Sequence, residues 1–322
     1  MRKLPALIAA AGLIAVALTG CSSAAQNAAD CTGGAASGDA SSLVTAKGDV
    51  GSIPEVEFPT PLKAKKTEAT ELSAGTGAGL VTGQKAVIEM AVYNGTTGDL
   101  IEKTNYGSDD ATPLSVVLAK DQLQDGLRKG LLCATEGSRT AIVVPPADAF
   151  GDAGNASIGI GPKDNLVFVV DVQKAYLPRA NGAERRAENG FPAVVLDETG
   201  RPGITIPSDE APKDLKVAVL KEGDGATVKK GDSVTVHYTG VIWDTKEVFD
   251  SSWDRGAPTS LTAESGVDGG VIEGFADAIV GQKVGSQVIA VIPPDKAYGE
   301  TAQSTIPANS TLVFVVDILG ID

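Results

Sequence analysis

The sequence predicts an α+β protein with two tandem domains, each an antiparallel β-sheet wrapped around one short α-helix. Three observations lead to this prediction. The 322-residue chain contains an internal repeat. Each copy of the repeat is mostly built of strand-like segments, and each copy holds one segment with helical spacing. We therefore expect each copy to fold as a unit of roughly 100 residues around its own core.

The internal repeat is visible as paired motifs in the same order. "DAFG" at 148–151 and "KAYG" at 296–299 both follow a Pro-Pro pair, so the two copies are 148 residues apart. Further pairs are "LQDGLRKGL" (123–131) with "VIEGFADAI" (271–279), "GDLIEKT" (98–104) with "KEVFDSS" (246–252), and "NLVFVVDV" (165–172) with "TLVFVVDI" (311–318). The last pair is offset by 146 residues. Several matches in one order indicate a tandem duplication.

The strand predictions come from hydrophobic periodicity. In "SVTVHYTGV" (233–241) the apolar residues alternate with polar ones, which predicts a strand with two different faces. "QVIAVIPP" (287–294) and "TLVFVVDILG" (311–320) are apolar on both faces or nearly so. Such segments are typical of central strands in a sheet that is covered on both sides.

One helix is predicted in each copy. In "GFADAIVG" (274–281), Phe275, Ala278 and Ile279 lie at helical spacing, and Gly281 is a typical helix-ending residue. We expect this short helix to lie on the concave face of the sheet.

The N-terminus has the features of an export signal. Arg2 and Lys3 precede an apolar run at 4–18, which is shorter than a membrane-spanning helix requires. The run ends in "LTGC" (18–21), which resembles the lipobox of bacterial lipoproteins. We expect Cys21 to be lipidated and to anchor the protein at the extracytoplasmic face of the cell membrane. An ordinary cleaved signal is the alternative.

The net charge indicates which partners the protein does not bind, and the cysteines indicate a possible disulfide. The formal net charge of −14 becomes −16 without the two basic residues of the signal, and this argues against binding of nucleic acid. Cys31 and Cys133 remain if Cys21 carries the lipid. In exported proteins such a pair more often forms a disulfide, and two free thiols are the alternative.

We divide the chain into a signal (1–20), a flexible tether (21–42), a first domain (43–176), a linker (177–206) and a second domain (207–322).

The second copy resembles the FKBP-type peptidyl-prolyl isomerases over residues 215–320. The motifs that carry the resemblance are, in order, "VHYTG", "VFDSSWDRG", "VIEGFADAIVGQKVGS", "IPPDKAYG", "TIP" and "TLVFVVDIL". The resemblance implies a sheet wrapped around a short helix, and a substrate bond that precedes proline in a peptide or unfolded protein. It also implies that macrolide inhibitors of this family bind the same pocket.

The family's pocket residues can be assigned one at a time. The resemblance implies catalytic roles for Tyr238, Phe249, Asp250, Ile272, Phe275, Tyr298 and Phe314, and substrate binding by Arg255, Val271 and Ile306. The backbone N–H of Ile272 and the hydroxyl of Tyr298 would bind substrate carbonyls. Phe275 would form the pocket floor, where the best-known members carry Trp. Thr259 departs from the family, because many members have an aromatic residue there.

This set of residues suits rotation about a peptide bond. Resonance gives the C–N bond a barrier of about 18–20 kcal/mol, and twisting it removes the charge separation of the planar amide. An apolar pocket that withholds water from the carbonyl therefore favours the twisted state. No nucleophile is needed, so we interpret Asp250, Arg255 and Tyr238 as a polar brace on the rim. We expect no cofactor and no metal site, and we interpret His237 as a solvated or hydrogen-bonded strand residue.

The first copy lacks most of this chemistry. At an offset of 148, the pocket positions are occupied by Met90, Ile101, Glu102, Gln124, Leu127 and Phe150, while Phe168 lies opposite Phe314. We interpret the first domain as a degenerate copy that holds clients or acts as a spacer. The leading hypothesis is a lipid-anchored isomerase for exported proteins whose second domain is active. The rival is an extracytoplasmic chaperone or assembly factor with little turnover.

Overall fold

The structure is a computed structural model that describes residues 32–106, 114–186 and 189–322. The predicted signal, Cys21 and Cys31 lie outside the described residues. The strands and helix of the first half are β1 (Thr45–Lys47), β2 (Glu55–Glu57), β3 (Glu68–Ser73), β4 (Lys85–Asn94), β5 (Leu100–Lys103), β6 (Leu114–Val117), α1 (Asp125–Leu131), β7 (Arg139–Val144) and β8 (Leu166–Ala175). Those of the second half are β9 (Ala183–Glu184), β10 (Ala193–Leu196), β11 (Pro202–Thr205), β12 (Lys216–Glu222), β13 (Ser233–Ile242), β14 (Val248–Ser251), β15 (Thr259–Thr262), α2 (Glu273–Ile279), β16 (Gln287–Ile292) and β17 (Leu312–Ile321).

Two antiparallel sheets of the same connectivity organise the described chain. The first follows the order β3-β7-β8-β4-β5, and β6 pairs with β4. The second follows the order β14-β13-β17-β16-β12-β9, and β15 pairs with β13. In both sheets the last strand of the repeat lies near the centre. β8 lies between β7 and β4, and β17 lies between β16 and β13. The described part of the chain is thus mostly β, with one α-helix in each half.

The two sheets agree even in their irregularities. β4 pairs with β8 with a register shift between Val87 and Ile88, and β13 pairs with β17 with a shift between Thr235 and Val236. The shifted positions are 148 residues apart, which is the offset of the sequence repeat. A β-bulge bends and twists the strand that carries it, so both sheets curve at the same place.

Each helix packs tightly on its sheet through a glycine. A Cβ at Gly126 in α1 would overlap Val144, and a Cβ at Gly274 in α2 would overlap Ile292. The two glycines are equivalent in the repeat, and only a residue without a side chain allows this approach. The repeated glycine thus allows the close approach of each helix to its sheet.

The outer face of the first sheet is covered by residues that precede it. Ala40, Val44 and Leu62 are buried against strands β7 and β8, and they form a hydrophobic cluster separate from the one under α1. The carboxylate of Glu68 accepts hydrogen bonds from the backbone N–H groups of Ala40 (2.8 Å) and Ser41 (3.1 Å). The prediction of a flexible tether over 21–42 is therefore wrong for its described end: these buried residues belong to the first domain.

The linker covers the second sheet in the same way. β10 and β11 form a hairpin, and Val194, Ile204 and Ile206 pack against Val241 and Val291. Both sheets are therefore covered on two faces, by a helix and by the chain that precedes them. This is what the doubly apolar strands predicted.

The two domains meet through a small polar network. Lys85 Nζ of the first domain lies 2.9 Å from Asp322 Oδ1, and it also donates to Thr235 and Ser260. The Lys85 ammonium lies 4.5 Å from the centre of the Tyr176 ring, and the Tyr176 hydroxyl binds Asp322. Burial alone would raise the pKa of Asp322, but hydrogen bonds from Ser233, Tyr176, Lys85 and Thr235 outweigh it and hold that pKa well below its usual range.

None of the helices in residues 32–106, 114–186 and 189–322 has the length and apolar character that crossing a membrane requires.

Candidate active site

A cavity of about 520 Å³ opens between α2 and the concave face of the second sheet. Its lining residues are Tyr238, Phe249, Asp250, Thr259, Ser260, Leu261, Gly269, Gly270, Val271, Ile272, Phe275, Tyr298 and Phe314. Eight of the ten residues that the sequence assigned to catalysis or substrate binding are in this set. A partly open cavity of this size accommodates a small ligand or a few residues of a peptide.

Four aromatic rings form the deep wall of the cavity. Phe314 on β17 lies at the centre, with its ring 5.1 Å from Phe275 and 5.5 Å from Phe249, both nearly perpendicular. The Tyr238 ring contacts Phe275 edge-on at 6.1 Å. Edge-to-face packing is favourable because the positive edge of one ring meets the negative face of the next. Phe275 and Phe314 are almost fully buried, so the wall is preformed.

Gly240 makes room for this wall, and sequence reasoning missed it. A Cβ at Gly240 would lie 2.5 Å from Phe249 Cζ and 3.0 Å from Phe314 Cε1. A glycine inside a strand pattern often marks such a close approach, and this was the available signal. The equivalent residue of the first domain is Val92, which is buried in the first core. Its side chain belongs to the same hydrophobic cluster as Ile101, the counterpart of Phe249.

The rim of the cavity is braced by the three polar residues that the sequence grouped. The Tyr238 hydroxyl donates to Asp250 Oδ2, and Arg255 donates to Asp250 Oδ1. Arg255 also donates to the Tyr238 oxygen at 3.1 Å and to Thr259 Oγ1 at 3.3 Å. Burial, followed by the bond to Asp250, raises the pKa of Tyr238, so its proton is held rather than released. Thr259 thus joins the brace.

The start of α2 presents a backbone donor to the cavity. Ile272 is the residue before the helix, with φ −60° and ψ 151°, and Phe275 N–H bonds back to its carbonyl at 3.0 Å. Within the described chain, no acceptor is found for the Ile272 N–H itself. A free N–H at a helix start suits a carbonyl oxygen of a bound peptide.

The remaining predicted residues lie at the edge of the site. Tyr298 is 38% exposed, so its hydroxyl is available at the mouth of the cavity. Arg255 is exposed and reaches the site through Asp250 and Tyr238. Ile306 is buried in the core of the second domain and is not among the lining residues. The structure therefore brings together nine of the ten assigned residues, while the prediction that Ile306 lines the rim is not met, because Ile306 lies in the core.

His237 is buried, not solvated. Its Nδ1 lies 2.8 Å from Ser252 Oγ, and its ring stacks on Trp253 with centroids 4.0 Å apart. Burial, and next the positive charge of Arg255, lower the pKa of His237 to about 4. His237 is therefore a neutral structural residue under the rim.

The counterpart residues in the first domain fill their own core. Met90, Ile101, Leu127, Phe150 and Phe168 all pack in one hydrophobic cluster around α1. Glu102 is exposed on β5 and makes none of the contacts that Asp250 makes. The hydroxyl of the brace has no equivalent at these positions, and the one carboxylate, Glu102, has no tyrosine beside it at position 90.

Cys133 is disulfide-bonded, and its partner lies outside the described residues. The segment that follows Cys31 runs beside it: Ala35 N–H bonds to Lys129 O at 2.8 Å, and Gly33 and Gly34 pack against Leu132. Pairing with Cys31 stays a prediction. In the described part of the chain, no cluster of three or more His, Cys, Asp or Glu residues could hold a metal ion.

The comparisons with known proteins agree with this geometry. Residues 82–173 and 225–319 both match the family of FKBP-type peptidyl-prolyl cis-trans isomerases, so the matches span more than half of the chain. A "Probable FK506-binding protein" of Corynebacterium glutamicum is 39% identical over 120 residues, which is 37% of this chain and 98% of that protein. The isomerase FkpA of Escherichia coli K12 is 41% identical over 107 residues, or 33% of this chain and 37% of FkpA.

One solved structure matches most of the chain at low similarity. The crystal structure of the three FKBP domains of wheat FKBP73 matches with 20% identity and a TM-score of 0.36, over 80% of this chain and 94% of that one. With both sheets, the cavity and the family matches in place, the chain belongs to the FKBP-type peptidyl-prolyl cis-trans isomerases.

Proposed function

We propose that the second domain is the active isomerase of this chain and that its substrates are proline-containing segments of exported, incompletely folded proteins. The observation that carries the proposal is the difference between the two domains at equivalent positions. The second has an apolar cavity with a hydroxyl–carboxylate–guanidinium brace, and the first has apolar side chains packed into its core.

The geometry suits catalysis by binding alone. The ring wall offers the proline an apolar, water-poor surface, and this disfavours the charge-separated planar amide relative to the twisted one. The Ile272 N–H and the Tyr298 hydroxyl are the available donors for the peptide's carbonyls. Held in this way, the segment takes up a turn before the bond rotates, which removes part of the entropic cost.

The same cavity is the proposed site for macrolide inhibitors. Relatives of this chain carry the name FK506-binding protein. The cavity offers an aromatic wall on which such a ligand would pack and donors to which it would hydrogen-bond. We further propose that a lipid on Cys21 holds the protein at the extracytoplasmic face of the membrane, where exported chains emerge. The export signal and its "LTGC" ending support this part of the proposal.

Two matched substitutions in the full chain test which domain acts. Asp250→Val removes the carboxylate that orients Tyr238 and Arg255, and we expect kcat/KM on a proline tetrapeptide to fall roughly ten- to hundredfold, because hydrogen bonds to charged groups contribute about 1.5–3 kcal/mol. Glu102→Val changes the equivalent position of the first domain and should leave kcat/KM within twofold of the wild type.

The outcomes separate the enzyme from its rival. If Glu102→Val lowers kcat/KM as much as Asp250→Val, the assignment of activity to the second domain is wrong. If the wild-type chain shows no turnover but suppresses aggregation of an unfolded protein, the chaperone hypothesis replaces the enzyme.

A further inference from the structure

The loop that braces the pocket is supported from outside the second domain. We call residues 252–260 the rim loop. It carries Arg255 and Thr259, which complete the hydrogen bonds around Asp250, and Ser260, which lines the cavity. It also carries Trp253, which seals His237. The position of this loop therefore sets the position of the brace.

The first domain contacts the C-terminal end of the rim loop. Lys85 Nζ donates to Ser260 Oγ at 2.7 Å and to Thr235 Oγ1 at 3.0 Å, and its side chain is only 12% exposed. Gly83 packs against the rim loop directly, because a Cβ at that position would lie 3.5 Å from Gly256 O. Gly256 follows Arg255, so this contact is one residue away from the brace.

The ammonium of Lys85 is itself fixed. It forms an ion pair with Asp322, and Asp322 also accepts hydrogen bonds from Ser233 (2.6 Å) and Thr235 (2.9 Å). A lysine whose side chain is mostly covered and whose ammonium has several partners is a firmer support than an exposed lysine that samples many rotamers.

The linker contacts the other end of the rim loop. Arg201 lies 2.7 Å from Asp254, and a Cβ at Gly200 would lie 3.2 Å from Trp253 Cη2. The Arg201–Asp254 pair is about half exposed on both sides, so it contributes little by itself. Lys85 is the better covered of the two contacts, so it is the stronger support.

We propose that Lys85 of the first domain is a positioning residue for the isomerase pocket, acting through Ser260 and the rim loop. The degenerate domain thereby tunes how tightly the active domain binds its peptide. This inference rests on the proposed function of the second domain. It assigns the first domain a role beyond that of a spacer.

The test compares three full-length variants. Lys85→Met keeps the length of the side chain but removes its three donors, and we expect KM for a proline tetrapeptide and Kd for FK506 each to rise about three- to tenfold, with kcat within twofold. Lys85→Arg keeps donors for Ser260 and Asp322 and should recover most of the loss. Circular dichroism and the thermal midpoint check that each variant is folded.

Lys174→Met is the matched control. Lys174 also crosses the interface, where it donates to Ile321 O and lies 4.8 Å from the Tyr176 ring centre, but it makes no contact with the rim loop. We expect this variant to keep the wild-type KM and Kd. An equal rise for Lys174→Met would show that general domain docking, not Lys85, is responsible, and the proposal would be wrong.

Two further outcomes are decisive. If Lys85→Met lowers only the thermal midpoint and leaves KM and Kd unchanged, Lys85 is merely structural and the inference is overturned. If the wild type binds FK506 without measurable turnover while Lys85→Met still weakens FK506 binding, the proposed function fails and the positioning role stands.

Discussion

At the scale of single residues, Gly240 and Val92 are one cause of the difference between the two domains at equivalent positions. The two positions are equivalent, and each lies in the strand that faces the helix. Because Gly240 has no side chain, the rings of Phe249 and Phe314 pack together above it and form part of the cavity wall. The isopropyl group of Val92 packs with Ile101 and Phe168 in the first core. One methine and two methyl groups thus help to turn a binding surface into a core.

The burial of His237 predicts a specific pH dependence of stability. The pKa of His237 is about 4 in the folded chain, against an ordinary value of 6.5. Between these pH values the unfolded chain binds a proton at this histidine and the folded chain does not. The resulting stability is fully present above pH 6.5, and it is lost as the pH falls from 6.5 toward 4. Its size is about 3 kcal/mol, from the difference between the two pKa values.

The variant His237→Asn isolates this contribution. An asparagine can still reach Ser252 but does not titrate, so we expect a flatter loss of unfolding free energy between pH 6.5 and pH 4.5. Urea denaturation of both proteins at half-unit intervals measures the difference. Parallel curves for the two proteins would show that the proton uptake belongs to other groups.

At the scale of elements, each sheet is fastened to its outer cover by an aspartate in its last strand. In the first domain, Asp171 accepts the Gly51 N–H at 2.7 Å and pairs with buried Arg139. In the second, Asp317 accepts the Ala180 N–H at 2.8 Å and the amide of Gln287. Burial, opposed by these hydrogen bonds, raises the pKa of Asp317, since Gln287 brings no charge. Both domains thus use an aspartate in the same strand, but among the described residues only Asp171 has a charged partner.

The arginine in the first domain should be the more critical fastener. Arg139 also donates to the carbonyls of Gly48, Asp49 and Ser52, so it ties the β1–β2 hairpin to the sheet. We expect Arg139→Met to lower the free energy of unfolding by about 3–5 kcal/mol, because it leaves a buried carboxylate unpaired. Hydrogen exchange of residues 48–52 should rise in the same variant.

A lysine of the same hairpin provides the comparison. Lys47 pairs with Glu57 on the surface, with both side chains more than 60% exposed. Lys47→Met should change stability by less than about 1 kcal/mol. Unchanged exchange at residues 48–52 in Arg139→Met would contradict the fastening role.

The strands and helices could be predicted from the sequence because they depend on local patterns that the repeat shows twice. The pocket residues followed from spaced motifs, and the structure places most of them around one cavity. The covers could not be predicted in this way. Ala40 and Ser41 are held by a single carboxylate, that of Glu68, which lies 27 residues or more along the chain. Likewise, the polar face of β13 predicted exposure to solvent, but Thr235 and His237 on that face are buried. Their contacts with Lys85 and Trp253 could not be predicted from a strand pattern.

At the scale of the whole molecule, the domains join through equivalent positions of the two repeats. Lys85 corresponds to Ser233 and Tyr176 to Asp322, and all four side chains meet in one network. The contact therefore joins the starts of β4 and β13 to the residues that directly follow β8 and β17. Such an arrangement lets one domain act on the pocket of the other without adding any new element.

The proposed lipid anchor concerns the whole molecule and can be tested separately from catalysis. We expect the chain expressed with its own signal to partition into the detergent phase and to carry the mass of a lipid on Cys21. A variant with an ordinary cleavable signal in place of residues 1–21 should partition into the aqueous phase with the same kcat/KM. An unmodified Cys21 in the wild-type chain would leave the alternative of an ordinary signal.

In both repeats the strand at the centre of the sheet is the last to be synthesised. β17 lies between β13 and β16, and it brings Phe314 to a pocket whose other walls are made earlier. On the ribosome, the first sheet can close when β8 emerges, before any strand of the second repeat exists. The second stays open until β17 inserts. If activity belongs to the second domain, as proposed, a nascent chain does not act on proline peptides until its final strand is in place, whereas the first domain can be complete before that.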